Sequence, residues 1–250
     1  MRIEVLTLFP ELVEQVALHG MPRIAVETGR LRLGTRNPRA HSGNKWQRVD
    51  DRPYGGGPGM VMEAEPLARC IAEARAEIGA PARVLMLSPQ GERFSQAWAQ
   101  RLSEEQNLIL LCGRYEGVDE RLLRSEVDVE LSLGDFVLSG GELAAMAVID
   151  SVARLLPGVL GDAGSAAADS FSAGWLDHPH YTRPEAWRGV PVPEVLMSGD
   201  HAAIRRWRLQ QALGATWLKR PDLLDGMQLD PEQTRLLREF IAQQEDSETR

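Results

Sequence analysis

Apolar strand patterns alternate with helical patterns through the first half of the chain. Residues 107–112 form a continuous apolar run, typical of a strand buried on both faces of a parallel sheet. Residues 64–78 have helical periodicity that stops at Gly79, and Pro10 stands where the first turn of another helix is expected. This order predicts the α/β class, with a parallel sheet covered by helices. The predicted strands are 2–9, 83–87 and 107–112, and the predicted helices are 64–78, 95–102, 119–124 and 142–156.

The chain changes character at 157–176, where small uncharged residues predominate. Such a composition predicts a flexible linker or a lid. Beyond it, 200–218 and 231–244 have helical patterns, with Asp200 as the N-cap of the first helix. We therefore expect an α/β domain at 1–160, the linker at 161–176 and a small all-α domain at 177–250.

The composition is that of a soluble globular protein, with 43% hydrophobic and 26% charged residues. No apolar run reaches the length of a membrane span, and Glu11 and Glu14 interrupt the N-terminal apolar segment, so neither a membrane partner nor a signal peptide is expected. Cys70 and Cys112 are expected to be buried free thiols of a cytoplasmic protein. Histidine and cysteine do not cluster at zinc-ligand spacing, so no zinc site is expected.

The net charge of −8 argues against indiscriminate nucleic-acid binding, but positive charge is concentrated in two segments. Residues 29–52 contain seven arginines and lysines against two aspartates, and residues 183–220 contain seven against three acidic residues. Two basic segments on an acidic protein favour a polyanion held at one place. Solvated arginine faces without such a partner are the alternative.

Three glycine-bearing loops follow three strand patterns. They are 87–91, 112–117 and 131–142, and the last contains Gly140-Gly141 directly before a helix. Ligands of open α/β sheets bind beyond the carboxyl ends of the strands, so these loops predict one shared pocket. The chain has neither a Gly-x-Gly-x-x-Gly fingerprint nor a P-loop lysine there, which favours a ligand with a flat base and little phosphate, bound mainly by backbone groups. Tight turns without a ligand are the alternative.

Eight segments, in order along nearly the whole chain, together resemble one family. The segments are TLFPE (7–11), VDDRPYGGGPGM (49–60), LSPQG (87–91), CGRYEGVDER (112–121), GDFVLSGGE (134–142), DSVARLLPGVLG (150–161), DHPHYTRPE (177–185) and RRWRLQQALGATWLKRPDLL (205–224). The family that they resemble is the bacterial tRNA (guanine-N1)-methyltransferases, knotted SPOUT-type enzymes that modify the guanine just 3′ of the anticodon.

The resemblance implies features that the residue pattern alone does not reveal. It adds a deep C-terminal trefoil knot to the α/β domain, although protein chains are rarely knotted. It also implies a homodimer with active sites between the subunits. The implied methyl donor is S-adenosyl-L-methionine, the implied substrate is the tRNA anticodon stem-loop, and Glu116 is implied as a ligand of Mg²⁺.

Guanine N1 is protonated at neutral pH, so its methylation needs a base and a positive group for the charge that develops on O6. By resemblance, Asp169 in the predicted linker is the base, and Arg154 near the end of the 142–156 helix is the partner of O6. Without the resemblance, Asp169 is an ordinary loop carboxylate, and Arg154 is a cation that stabilises a helix C-terminus.

The resemblance also assigns binding residues. The methyl donor is expected to bind Leu87, Ser88, Pro89, Gly91, Gly113, Tyr115, Glu116, Gly117, Ser132, Leu133, Gly134, Asp135, Phe136, Val137, Leu138, Gly140 and Gly141. The tRNA phosphates are expected to bind Arg183, Arg205, Arg206, Arg208, Lys219 and Arg220. Asp177, His180 and Tyr181 fit either a place near the target base or a structural hinge.

Two other functions remain open at this point. One is a related knotted enzyme that methylates a ribose 2′-hydroxyl or another base. The other is a non-catalytic RNA-binding protein with the same fold. A conventional nucleotide-dependent α/β enzyme is disfavoured, because both nucleotide-binding fingerprints are missing.

Overall fold

A five-stranded parallel sheet is the centre of the N-terminal part of the chain. The computed structural model describes residues 1–161 and 169–248. The chain divides into two compact units, an N-terminal unit (Met1–Ala163) and a C-terminal unit (Gly164–Arg250). The described strands are β1 (Arg2–Leu6), β2 (Arg32–Arg36), β3 (Asp50–Asp51), β4 (Val61–Met62), β5 (Arg83–Arg93), β6 (Asn107–Cys112), β7 (Val129–Ser132), β8 (Ala186–Trp187) and β9 (Val190–Pro191).

Helices cover both faces of this sheet, whose strand order is β2-β1-β6-β5-β7. The described α-helices are α1 (Pro10–Glu14), α2 (Gly20–Glu27), α3 (Ala64–Ile78), α4 (Gln96–Ser103), α5 (Glu120–Glu126), α6 (Glu142–Ala153), α7 (Glu194–Met197), α8 (His201–Lys219) and α9 (Pro231–Glu248). Helices α1, α2, α4 and α6 bury apolar side chains on one face, and α3 and α5 do so on the other.

Strand β6 shows why the sheet is buried on both sides. Its residues Leu108 and Leu110 belong to the hydrophobic core on one face, and Ile109 and Leu111 belong to the core on the other. All four side chains are fully buried. The predicted α/β class and the predicted strand 107–112 are therefore confirmed.

The edge strand β2 has no counterpart among the predicted strands, whereas β7 leads into the 131–142 loop, which the sequence places at the end of a strand. Strand β2 is exposed at Arg32 and only partly buried elsewhere, and its sequence RLGTR contains no continuous apolar run. Apolar runs mark only strands covered on both faces, so such edge strands give a weak signal. The predicted strand 83–87 is also too short, because β5 continues to Arg93.

Strand β5 is irregular where it passes β7. Leu131 is opposite Leu87 and again opposite Glu92, so residues 88–91 bulge out of the ladder. A Cβ on Gly91 would lie 2.4 Å from the Glu130 carbonyl carbon and from the Leu131 nitrogen. Such a distance is far below van der Waals contact, so the crossing requires glycine.

The C-terminal unit is mainly helical. The Asp200 carboxylate caps α8 by accepting hydrogen bonds from the Ala202 and Ala203 amides, as predicted. Helices α8 and α9 approach closely at Gly214, where a Cβ would lie 2.5 Å from the Phe240 ring. Strands β8 and β9 form an antiparallel ribbon in this unit, so the prediction of an all-α domain is wrong in that respect. Across 1–161 and 169–248, no helix combines the length and the apolarity needed to cross a membrane.

Both cysteines are buried free thiols, as predicted. Burial raises the pKa of Cys70 to about 12. Burial also raises the pKa of Cys112 well above its usual value, with the Glu142 carboxylate adding to the effect. Neither residue is a thiolate at neutral pH, so neither serves as a nucleophile.

Replacing Gly91 tests the crossing of β5 and β7. Gly91→Ala is expected to lower the free energy of unfolding by about 1–3 kcal/mol, because the added methyl group forces the backbone apart. Urea denaturation measures the change. Gly43→Ala is the matched control, since a Cβ there meets no atom within 4 Å. Equal stability of the two variants would contradict the close approach.

Candidate functional site

A cavity of about 330 Å³ lies beyond the carboxyl ends of β6 and β7 and beside the bulge of β5. Residues of the three segments 86–90, 113–118 and 130–141 line it. The three glycine-bearing loops of the sequence therefore meet at one cavity. Every residue predicted to bind the methyl donor lines this cavity except Gly91 and Asp135.

Gly91 and Asp135 have structural surroundings of their own. Gly91 packs against the backbone of β7, as described above. The Asp135 carboxylate accepts a 2.8 Å hydrogen bond from Arg93, and its side chain is 90% exposed. The resemblance implies both residues as donor contacts, but the cavity lining does not include them.

A buried ion pair fixes one wall of the cavity. The Glu142 side chain is 1% exposed, and its two carboxylate oxygens lie 3.1 and 2.9 Å from the Nε and Nη2 atoms of Arg114. The Thr7 hydroxyl donates a 2.8 Å hydrogen bond to the same carboxylate. Arg114 Nη1 donates to the Ser139 carbonyl. Glu142 thus connects the end of β1, the loop after β6 and the segment before α6.

Arg114 and Glu142 belong to two of the eight segments that resemble the family, but the sequence analysis predicts no role for either. The available signal was a charged residue two positions after an apolar buried strand, and another directly after Gly140-Gly141. Charges at buried positions are rarely left unpaired, so each required an opposite partner.

Two adjacent glycines let the segment before α6 approach the loop after β6. A Cβ on Gly140 would lie 2.2 Å from Arg114 Nε, and a Cβ on Gly141 would lie 2.8 Å from the Cα of Cys112. The Gly141 amide donates a 3.0 Å hydrogen bond to the Gly113 carbonyl. The close approach expected at Gly140-Gly141 is therefore made by the chain itself.

The loop after β6 is held from its other side by the segment before α3. The Glu116 amide donates to the Met60 carbonyl, and the Met62 amide donates to the Gly117 carbonyl. Tyr115, with a φ of 60°, adopts the left-handed backbone conformation at the turn. Burial raises the pKa of Tyr115, and the nearby Asp50 carboxylate raises it further. The loop after β6 is therefore hydrogen-bonded to the segment before α6 on one side and to the segment before α3 on the other.

Glu116 does not by itself form a magnesium site. Within the described part of the chain, it belongs to no group of three His, Cys, Asp or Glu side chains whose ligand atoms converge. Mg²⁺ requires near-octahedral oxygen ligands, usually supplied by carboxylates, phosphates and waters together. The residues present do not fit a magnesium ion held by the protein alone.

The two predicted catalytic residues lie in different units. Arg154 is half-buried at the C-terminus of α6, where its amide donates to the Asp150 carbonyl. Asp169 begins a turn in which its carbonyl accepts a hydrogen bond from the Ser172 amide. Residues 162–168 of the predicted linker lie outside the described residues.

The turn that begins at Asp169 is tied to the rest of the C-terminal unit. The Asp177 amide donates a 2.9 Å hydrogen bond to the Ser170 hydroxyl. The Leu176 amide donates a 2.9 Å hydrogen bond to the hydroxyl of Thr216, a buried residue of α8. The second of these bonds anchors 169–177 to α8, the helix that contains Arg205, Arg206 and Arg208.

Ion pairs divide the predicted tRNA-binding residues into two sets. Arg206 pairs with Glu239, and Arg220 pairs with Asp222. In 1–161 and 169–248 no ion pair involves Arg183, Arg205, Arg208 or Lys219, all of which are exposed. The second set keeps its full charge available for a polyanion.

Part of the other basic segment, 29–52, is neutralised within the protein. Arg36 forms ion pairs with Glu4, Glu73 and Glu77. Arg32 also lies 3.7 Å from Glu77. The positive charge counted from this part of the sequence therefore overstates the charge that a ligand meets.

Removing the Glu142 carboxylate tests the importance of the buried ion pair. Glu142→Ala is expected to lower the free energy of unfolding by about 3 kcal/mol or more, because it leaves the Arg114 guanidinium without its partner at a site where it is 18% exposed. Urea denaturation measures this loss. Asp135→Ala breaks an exposed pair with Arg93 and should cost less than about 1 kcal/mol. Similar losses in both variants would refute the distinction.

Comparison with known proteins identifies the family. Residues 1–226 match the family model described as tRNA (Guanine-1)-methyltransferase TrmD. A tRNA (guanine-N(1)-)-methyltransferase of Halorhodospira halophila is 60% identical over 242 residues, covering 97% of this chain and 92% of that protein. The enzymes of the same name from Methylococcus capsulatus and Stutzerimonas stutzeri are 57% and 54% identical, covering 96% and 99% of each chain. The chain belongs to the tRNA (guanine-1)-methyltransferase family.

Proposed function

We propose that this protein transfers a methyl group from S-adenosyl-L-methionine to N1 of the guanine just 3′ of the tRNA anticodon. Family membership supports the methyl transfer to guanine N1 of tRNA. The negative charge of the cavity lining supports S-adenosyl-L-methionine as the methyl donor. Asp169 as the base and Arg154 as the partner of O6 complete the proposal.

The charge of the cavity lining is the observation on which the donor assignment rests. Glu116, Glu120 and Glu130 line the cavity, and the one cation among its described lining residues, Arg114, is paired with Glu142. A negative lining repels phosphate and attracts cations. S-adenosyl-L-methionine has a sulfonium and an ammonium group against one carboxylate, so its net charge is positive.

The lining also offers the contacts that a flat nucleoside group needs. Its glycines expose backbone donors and acceptors, and Leu87, Leu133 and Leu138 supply apolar surface. The side chain at 136 is Phe, which gives a ring face without a hydroxyl. When bound, S-adenosyl-L-methionine supplies the methyl group on a positively charged sulfur.

The chain's own residues prepare guanine for this transfer. Asp169 accepts the proton of guanine N1, and the methyl group takes the place of that proton. The Arg154 guanidinium donates hydrogen bonds to O6, where negative charge develops as N1 is deprotonated. Neither residue changes charge over the complete cycle once Asp169 releases its proton to water.

We also propose a homodimer with an active site between its subunits. Phe9, Leu12 and Leu143 are large apolar side chains of adjacent elements and are 43%, 39% and 52% exposed. Exposed apolar side chains grouped in this way are typical of protein–protein interfaces. Sedimentation equilibrium of the wild type and Leu143→Asp tests the assembly.

We further propose that 131–141 takes part in a trefoil knot. Two crossings support it, namely Gly91 against the β7 backbone and Gly141 against Cys112. Both crossings bring chain segments together at distances that exclude a side chain. An experimental trace of 83–156 tests the topology.

Mass spectrometry of the product tests the reaction. Unmodified tRNA incubated with the protein and S-adenosyl-L-methionine should yield 1-methylguanine in the fragment that follows the anticodon. A methylated ribose, methylation at another position, or tight tRNA binding without modification would each refute the proposal.

Substitution of the base separates catalysis from donor binding. Asp169→Ala is expected to lower kcat at least 100-fold, as loss of a general base does, and to leave the donor Kd unchanged. The donor cavity lies in the other unit, so its residues are untouched. Single-turnover kinetics and calorimetry supply the two measurements. Asp225→Ala, which removes an exposed carboxylate of the same unit, should retain normal turnover. Near-normal kcat for the Asp169 variant would refute its assignment.

Charge reversal tests the tRNA-binding set. Arg205→Glu with Arg208→Glu should weaken tRNA binding more than tenfold and reduce the slope of log K against log salt by at least about 1.4, because each lost phosphate contact removes about 0.7–0.9. The control, Arg69→Glu with Arg124→Glu, changes the net charge equally at exposed positions of the N-terminal unit. An unchanged slope, or equal effects in both variants, would refute the assignment.

A further inference from the structure

Three ligand-type side chains within four residues, Asp177, His178 and His180, converge in the C-terminal unit. The two Asp177 carboxylate oxygens lie 2.8 Å from His178 Nδ1 and 2.9 Å from His180 Nε2. The two imidazole rings meet edge to face, with their centroids 4.5 Å apart. The potential ligand atoms of the three residues all lie within 4.8 Å of one another.

We propose that Asp177, His178 and His180 form a binding site for a divalent transition-metal ion of the zinc class. Two imidazole nitrogens and one carboxylate oxygen are a donor set that Zn²⁺ accepts, whereas Mg²⁺ prefers oxygen ligands throughout. The site is separate from the donor cavity, which other residues line. Its occupancy does not depend on the proposed methyl transfer.

An unsatisfied nitrogen supports the site independently. His178 Nδ1 is buried, and despite its short distance to Asp177 it has no aligned hydrogen-bond partner among the described residues. A buried ring nitrogen without an aligned partner is costly. A metal ion bound to its lone pair removes that cost.

The surroundings leave room for entry and for further ligands. The side chains of His178 and Asp177 are 13% and 28% exposed, while that of His180 is 70% exposed. A cavity of about 400 Å³, lined by both histidines, lies beside the cluster. Solvent in this cavity supplies the remaining ligands of an open site with three protein ligands.

Sequence reasoning missed this cluster because it counted only histidine and cysteine. The pattern Asp-His-Pro-His contains three ligand-type residues in four positions once carboxylates are included. The expectation of no zinc site therefore rested on too narrow a set of ligands.

Titration of the full-length, chelator-stripped protein with Zn²⁺ tests the proposal. Competition with a chromophoric chelator should give one ion per chain, and Co²⁺ in its place should give an absorption spectrum typical of nitrogen and oxygen ligands. Millimolar Mg²⁺ should not displace either ion. His178→Ala with His180→Ala should weaken Zn²⁺ binding at least tenfold.

Two further variants make the result decisive. His19→Ala with His201→Ala removes the same number of histidines at exposed positions and should bind Zn²⁺ like the wild type. His180→Ala alone changes an exposed side chain, so a loss of binding there cannot come from unfolding. Unaltered Zn²⁺ affinity in either His180 variant, or equal loss in the His19 and His201 control, would overturn the proposal.

Discussion

The position of one cavity wall depends on the interactions of the buried Glu142 carboxylate with Thr7 and Arg114. Glu142 lies 135 residues from Thr7 in the sequence, yet it accepts the Thr7 hydroxyl hydrogen bond and pairs with Arg114. A charge at 1% exposure is tolerated only when its partners are in place. The ends of β1 and β6 and the start of α6 therefore have one mutual arrangement. Two of the three cavity loops, 112–117 and 131–142, are therefore held together by the contacts of Glu142 and Arg114.

The glycines near the cavity make that arrangement possible by letting chain segments touch. Gly91 admits the β7 backbone, and Gly141 admits the end of β6. A lining built from closely packed backbone presents amide and carbonyl groups at fixed positions and few long side chains. Such a surface suits a rigid nucleoside better than a flexible or highly charged ligand. The absence of a phosphate-binding lysine in these loops agrees with the acidic lining contributed by Glu116, Glu120 and Glu130.

The sequence predicts those strands and helices whose signal lies within a few adjacent residues. Strand β6 and helix α3 were predicted because their signals, an apolar run and helical periodicity ending at Gly79, are contained in a few adjacent residues. The edge strand β2 lacks such a run because it is partly exposed, so the sequence does not predict it. The role of Gly140-Gly141 was not predictable, since the atoms they accommodate belong to Cys112 and Arg114. Asp169 and Arg154 were named by resemblance, because neither has a local signature.

Acidic and basic side chains are distributed unevenly between the two units of the chain. The cavity proposed for the methyl donor lies in the N-terminal unit and has an acidic lining, which suits a ligand of net positive charge. Arg205 and Arg208 of α8 lie in the C-terminal unit and are exposed, and no ion pair among the described residues neutralises them, whereas Arg206 pairs with Glu239. The net charge of −8 does not reveal this difference, because it sums an acidic cavity lining and a basic helix surface. A uniformly basic protein would bind tRNA at many places and would repel a cationic donor. An acidic protein with one basic helix suits the two proposed ligands at separate sites. The hydrogen bond from the Leu176 amide to Thr216 ties the segment of the proposed base, Asp169, to the helix that we propose binds tRNA.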